Sequence, residues 1–277
     1  MSLELSVVIV TLGGQGDLER CLEALRRQGP IELEIIVPKS GAPPPALRAA
    51  GIREASAPIV ALTEDHCIPS PDWAASILRA HAAPSAAAGG SVEKTTPDTA
   101  LNWAVYLADY LRYAAPLPEG PAAHLTDCNV SYKRAALDRV AACWRDGFHE
   151  NVVHDALRAA GETLWLAPSI VVAQRRSFRP GAVLRDRLAY GRLFAATRAQ
   201  RASLAARVVL LASTTLLPAL LVARVAVQVI RKRRHAGQFL RSLPWLAVIS
   251  TAWAVGEFLG YLTARPPASL AAPGESA

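Results

Sequence analysis

The sequence has four cysteines, Cys21, Cys67, Cys128 and Cys143, and no two of them form a CxxC pair. That scatter argues against a zinc knuckle or a disulfide framework, and reduced thiols on a cytosolic face are expected instead. No charged segment followed by a separate apolar stretch precedes the first strand pattern, so a cleaved signal peptide is not expected. Glycines follow that strand as Thr11-Leu12-Gly13-Gly14-Gln15-Gly16, but the spacing is GGxG and not GxGxxG. No acid closes the second strand at Val37-Pro38-Lys39, which disfavours a dinucleotide-binding oxidoreductase. The net charge of +7 would suit nucleic acid, yet neither stacking aromatics nor a nucleic-acid motif accompanies it, and no nucleic-acid partner is expected.

What is present is a change of character near residue 203. Two long apolar runs follow, Leu204 to Ile230 and Leu243 to Thr263, each near the roughly 20 residues that cross a bilayer core. The basic residues concentrate beside them, from Arg175 to Arg201 and in Arg231-Lys232-Arg233-Arg234, a placement suited to anionic lipid headgroups. Four segments are expected: a catalytic domain over 1–180, an amphipathic juxtamembrane helix over 181–202, a membrane helical hairpin over 203–264 and a disordered tail over 265–277. Ionisable groups interrupt the apolar runs, and Arg224 and Glu257 are candidates to pair. If both runs span with a cytosolic enzyme domain, the Arg231–Arg234 cluster falls outside, against the positive-inside tendency. A break at Pro218 into a re-entrant hairpin would keep it inside, and both topologies stay open.

The first 180 residues alternate strand and helix signals. Leu5 to Val10 is a β-branched run, Asp17 to Gln28 carries apolar residues at helical spacing, and Leu33 to Val37 is a second strand. Ala46 to Ala55 reads as a helix and Ile59 to Thr63 as a third strand. This β-α-β-α-β order predicts an α/β fold with a mostly parallel sheet flanked by helices, whose ligands bind where loops leave the carboxyl ends of the strands. The third strand runs out into Thr63-Glu64-Asp65-His66-Cys67-Ile68-Pro69. Hard carboxylate oxygens plus one imidazole at a central strand exit suit a divalent cation bridging phosphates, although acids there also serve as solvated loop residues.

At this point the residues carry a resemblance. SVVIVT at 6–11, EIIV at 34–37, RAAG at 48–51, APIVALTEDHCIPSPDW at 57–73, CNVSYKRAAL at 128–137 and HENVVHDALRAAG at 149–161 resemble, in order, the family 2 inverting glycosyltransferases of GT-A fold. The resemblance covers about two thirds of the chain. It implies a bacterial, membrane-anchored enzyme of the cell inner membrane, with its catalytic domain facing the cytoplasm. A nucleotide sugar would be the donor, a lipid-linked or surface glycan the acceptor, and membrane lipids further partners. Glu64, Asp65 and His66 would hold Mg2+ or Mn2+ as an ExH variant of the family's DxD motif. Thr11, Leu12, Arg48, Glu64 and Asp65 would bind the donor, and Asp127, Asn129 and His149 the acceptor. Glu150 falls on the catalytic base, a position that also suits an acid at a helix start. His149 and His154 flank it and could tune it or bind acceptor.

Two departures from the family pattern stand out. The QxxRW motif is only echoed in Gln174-Arg175-Arg176-Ser177-Phe178, so Arg187 and Arg192 become the candidates for the diphosphate, arginine's planar fork being suited to phosphate. The acid that reads the nucleotide base is replaced by Pro38-Lys39-Ser40, so neither nucleotide nor sugar is specified, and the oligomeric state is not encoded in these motifs either. Two alternatives are a polyprenyl-phosphate sugar synthase and a degenerate, noncatalytic GT-A membrane partner protein.

Overall fold

The protein is described from a computed structural model, which covers residues 3–11, 15–39, 41–95, 97–200 and 202–267, with 15 and 16 by backbone alone. Leu12 and residues 268–277 of the expected tail lie outside it. The chain divides into two compact units, one of Met1–Thr96 with Tyr113–Arg176, the other of Pro97–Arg112 with Ser177–Ala277. The first runs as β1 (Leu5–Val10), α1 (Gln15–Arg26), β2 (Leu33–Ile36), α2 (Pro44–Glu54), β3 (Ile59–Glu64), β4 (Cys67–Pro69), α3 (Trp73–His81) and β5 (Ala87–Lys94). The second unit contributes α4 (Ala100–Asp109) before the first resumes as β6 (Gly120–Ala122), β7 (Asn129–Lys133), α5 (Arg134–Arg139), α6 (Glu150–Ala159) and β8 (Leu164–Gln174).

The eight strands form one sheet in the order β2-β1-β3-β7-β5-β8-β4, with β6 beside β8. β2, β1 and β3 run parallel, as do β5 and β8, while β7, β4 and β6 oppose their neighbours. β1 is central and wholly buried, which is why its sequence, LSVVIV, is a continuous apolar run without alternation. β7 carries side chains for both faces. Val130 and Tyr132 join the core that α2, α5 and α6 cover, whereas Asn129 and Ser131 turn to α3 through Trp73 and His81. The α/β sheet with flanking helices is as the sequence predicts, with each of the first three strands within one residue of its expected end.

The helical unit holds α4, then α7 (Pro180–Ala199), α8 (Leu204–Ser213), α9 (Leu217–Lys232) and α10 (Ala236–Thr263). Residues 97–112 group with these helices, so the first unit is not the continuous 1–180 expected from sequence. The reason is composition: α4 buries Leu101, Trp103, Val105, Tyr106 and Leu107, and it packs on α10. α7 replaces the expected surface-lying helix with one half of a tight pair. Its small residues Gly191, Ala195, Ala196 and Ala199 are buried, and α10 answers with Gly256 and Gly260. A Cβ on Gly256 would sit 2.3 Å from the Leu188 carbonyl oxygen, and one on Gly191 2.5 Å from that of Trp253, so the two backbones touch. Small residues that let backbones meet are the usual means of helix association in lipid.

Among the described residues, α10 is the single helix long and apolar enough to cross a bilayer, and α8 with α9 pass only as a pair bent by 65°, the geometry of a broken span or a re-entrant loop. The bend precedes Pro218, which stands in the first turn of α9. Arg224 and Glu257 do not pair: Glu257 is buried and accepts a hydrogen bond from Trp253 Nε1 at 2.6 Å.

The α7–α10 contact gives a matched test on one helix. Gly256→Ala is expected to cost about 1–3 kcal/mol through overpacking and to lower the melting temperature in detergent. Gly237→Ala, where a Cβ meets nothing within 4 Å, should leave it level or slightly raised. Equal shifts in the two variants would contradict the close packing.

Candidate active site

The site is built where β3 ends. β3 carries Glu64 to the carboxyl edge beside Val10 of β1, whose carbonyl accepts the Asp65 amide at 3.1 Å. The chain then turns through Asp65 and His66 and returns as β4, which pairs antiparallel with β8. The Arg175 amide donates to the His66 carbonyl at 2.8 Å and pins the turn. Three polar side chains are thereby held almost wholly buried: Glu64 at 5%, Asp65 at 2% and His66 at 2% exposure. Burial of this kind is costly unless the charges are paired.

The pairing comes from Arg48 on α2. Its Nη2 lies 2.9 Å from Glu64 Oε1 and 2.5 Å from Asp127 Oδ2, so one guanidinium bridges the β3 exit and the loop before β7. Burial works against the charge on Arg48, but Asp127, Glu64 and Glu150 together raise its pKa and keep it ionised. Asp127 is pushed up to about 7, chiefly by burial, with Glu64 and Glu150 adding to the rise and Arg48 opposing it. Near neutral pH its carboxyl is therefore able to donate as well as accept a hydrogen bond. Glu150, half-buried in the first turn of α6, influences Arg48, Asp127 and Tyr132 electrostatically.

The donor set suits a divalent cation. His66 Nε2 is buried without a hydrogen-bond partner and lies 3.4 Å from Glu64 Oε2, and ligand atoms of Glu64, His66 and Cys67 all fall within 4.8 Å of one another. His66 Nδ1 lies 3.4 Å from Asp65 Oδ1, a second-partner arrangement that orients imidazole ligands at metal centres. The Cys67 thiol, third member of that set, is held well above its ordinary pKa by a hydrogen bond with Cys128 and by burial.

The structure treats the other sequence candidates unequally. Thr11 stands at the end of β1, partly buried, and His149 is exposed at the cap of α6. Asn129 is corrected from acceptor ligand to core residue. It is fully buried, its Nδ2 donates to the carbonyls of Ser91 and Ile170, each at 2.9 Å, and its Oδ1 accepts from Trp73 Nε1. Nothing of its amide is left for a sugar. Arg187 belongs to the helical unit and clasps Asp109 with both ends of its fork, at 2.9 and 2.7 Å. Arg192, in the same unit, donates from Nε to the Arg265 carbonyl. Their contacts lend no support to diphosphate binding.

Two further residues named from the sequence are buried in ways the sequence does not show. His154 is not at the surface: its Nε2 meets Tyr132 Oη at 2.8 Å, and burial, then His124, lower its pKa to about 3, so it stays neutral. It stands one turn beyond Glu150 and ties α6 to β7, fixing the direction of the helix start. The signal was available in the spacing, since 150 and 154 share a helix face. Gln174, fully buried opposite Cys67, has neither amide atom hydrogen-bonded within the described residues. It is the residue that begins the QxxRW echo.

Sheet order and site together define a fold of the GT-A, nucleotide-diphospho-sugar transferase type. The mannosyltransferase PcManGT from Pyrobaculum calidifontis, solved with GDP-Man and Mn2+, shares it with a TM-score of 0.54 at 15% identity, over 92% of this chain and 86% of that one. GalNAc-T7, solved with UDP, GalNAc and Mn2+, aligns over 64% of this chain and 44% of its own at 11% identity, with a TM-score of 0.48, a likeness too slight to argue from. No protein-family model matches the chain, and no curated protein matches it by sequence.

Arg48 is the residue on which this arrangement turns. Arg48→Met should leave the buried Glu64 and the half-buried Asp127 without their cation and cost about 3–5 kcal/mol. That corresponds to a melting point about 10 °C lower in detergent. A melting point within a degree of the parent would show that the bridge contributes nothing to the fold.

Proposed function

We propose that this protein is a membrane-anchored, metal-dependent, inverting glycosyltransferase that moves a sugar from a nucleotide-sugar donor to a lipid-linked or surface-glycan acceptor. The observation that carries the reading is the buried set at the β3 exit: Arg48 neutralising Glu64 and Asp127, with the unpartnered Nε2 of His66 facing Glu64. A fold shared with a mannosyltransferase that holds GDP-Man and Mn2+ supports it.

In this reading Glu64 and His66, with Asp65 orienting the imidazole, would hold Mg2+ or Mn2+, which would supply positive charge to the departing diphosphate. Thr11 and Arg48 line the donor side. Asp127, able to donate or accept near neutral pH, hydrogen-bonds a sugar or acceptor hydroxyl. Glu150 takes the proton of the acceptor hydroxyl as its oxygen bonds to the anomeric carbon. The bond from that carbon to the diphosphate oxygen breaks on the opposite face, and the nucleoside diphosphate leaves with inversion. His154, locked to Tyr132, positions Glu150 without touching substrate.

The helical unit supports membrane anchoring through its surface. Leu204, Val208, Val209, Leu220 and Ile230 are all exposed on α8 and α9, as are Leu216 between them and Leu240, Val248, Val255, Phe258 and Leu262 on α10. So much exposed apolar surface is a liability in water and natural in lipid.

The test is a donor-hydrolysis screen across GDP- and UDP-sugars, with purified full-length protein in detergent and with or without Mn2+. Metal-dependent release of nucleoside diphosphate is expected with one donor class, and Glu150→Gln should lower kcat for transfer by about 10²–10⁴-fold with donor KM little changed. An undiminished rate in Glu150→Gln would point to an acceptor already ionised, a lipid phosphate. Release from no donor with metal present would overturn the enzymatic reading.

A further inference from the structure

The turn after β3 sets a sulfur beside the oxygen and nitrogen atoms of the candidate cation site. Ligand atoms of Glu64, His66 and Cys67 all lie within 4.8 Å of one another, and the three residues are 5%, 2% and 0% exposed. The two carboxylate oxygens of Glu64 are divided: Oε1 accepts from Arg48 at 2.9 Å, which leaves Oε2 to face the unpartnered Nε2 of His66 at 3.4 Å. Ligand atoms around a tetrahedral zinc stand about 3.3–3.6 Å apart, given bonds of about 2.0–2.3 Å. The Glu64–His66 separation already meets that figure, and the sulfur has little more than about 1 Å to close. Gln174 is directly opposite Cys67 in the antiparallel β4–β8 pair, so the two side chains leave the sheet on one face. Its side chain is fully buried with neither amide atom hydrogen-bonded within the described residues, a second unmet polar group beside the sulfur.

We propose that Cys67 is a third ligand at this site, and that Glu64, His66 and Cys67 together select Zn2+ over Mg2+ and Mn2+. Imidazole and thiolate suit zinc, whereas hard cations gain little from sulfur and bind through oxygen. On this account Mn2+ uses Glu64 and His66 alone, and Zn2+ competes for the same place with one bond more. As zinc binds, the S–H bond of Cys67 breaks, its electron pair forms the Zn–S bond and the proton passes to the buffer. Three protein ligands leave a fourth position open, as in catalytic zinc sites, with Gln174 Oε1 a buried acceptor on the same face as the sulfur. The inference rests on the cation reading of the β3 exit and is independent of the sugar and the acceptor.

Full-length protein in detergent is loaded with Co2+, a spectroscopic substitute for zinc, and its optical spectrum is recorded. A cobalt–thiolate bond gives an intense sulfur-to-metal charge-transfer band in the near ultraviolet. The band is expected in the parent and in Cys143→Ser, whose thiol lies outside the site, and is expected to vanish in Cys67→Ser and Cys67→Ala with Co2+ still bound. Mn2+ affinity is read by electron paramagnetic resonance and Zn2+ affinity by displacement of the manganese. Zn2+ should bind at least about 100-fold more tightly than Mn2+ in the parent, and Cys67→Ser should cut that preference about tenfold or more. Mn2+ affinity in Cys67→Ser should stay within about threefold of the parent, which also shows that the variant is folded. Bound Co2+ without the band in the parent overturns the inference before any variant is made. A band that survives in Cys67→Ser, or a Zn2+ preference that the variant leaves intact, overturns it as well. Mn2+ binding with no sulfur signature from Co2+ overturns this inference and leaves the proposed function standing, whereas failure of Co2+, Zn2+ and Mn2+ alike to bind overturns both.

Discussion

Arg48 places a single guanidinium between Glu64 and Asp127 in surroundings nearly closed to water. Without it, the carboxylates gathered at the β3 exit would repel one another at short range and in low dielectric, and the turn through Asp65 and His66 would open. With it, negative charge is kept near threshold: enough to attract a cation toward Glu64 and His66, and balanced enough for the loops to stay closed. The same balance reaches Asp127, whose carboxyl sits near neutrality under the opposing pulls of burial, Glu64, Glu150 and Arg48. Placement of Glu150 depends on a different element, the neutral Tyr132–His154 contact that ties α6 to the sheet. The fold thus positions the proposed cation ligands and the proposed base through separate supports, one ionic and one neutral.

The sheet was legible in the sequence because its central strands are buried on both faces and so read as unbroken β-branched runs, as in LSVVIV and IVALT. The β3 turn was legible as the end of a buried strand, while its acids and histidine read equally as cation ligands or as solvated loop residues, and their burial comes only from long-range packing. Asn129 misled because a polar residue in a strand looks available, whereas inside a core its amide is consumed by Ser91, Ile170 and Trp73. Arg187 misled in the same manner: a basic residue near an expected diphosphate has no sequence mark to say that Asp109, 78 positions earlier, already holds it. His154 was hidden because burial depends on what α6 packs against, and that is set by long-range pairing.

The helical unit follows its own logic. Small residues on α7 and α10 bring the two backbones into contact, which stabilises the pair without requiring any polar group between them. α9 crosses beside α10 with an arginine in its apolar run, and that arginine lines a cavity among the helices. Insertion of residues 97–112 into this unit makes it an integral part of the chain's architecture and not a tail appended to a finished domain. The division at 180 follows the extent of the family resemblance, whereas packing joins α4 to α10 across more than a hundred residues of chain.

The account's central claim is that Glu64 and His66 together hold a divalent cation at the end of β3. Pulsed electron paramagnetic resonance on the full-length protein with Mn2+ and GDP or UDP tests it directly, because a coordinated imidazole imprints a nitrogen coupling on the manganese signal. The account predicts that coupling in the parent protein and its loss in His66→Ala. Bound manganese that carries no nitrogen coupling, or a coupling that survives in His66→Ala, would contradict it.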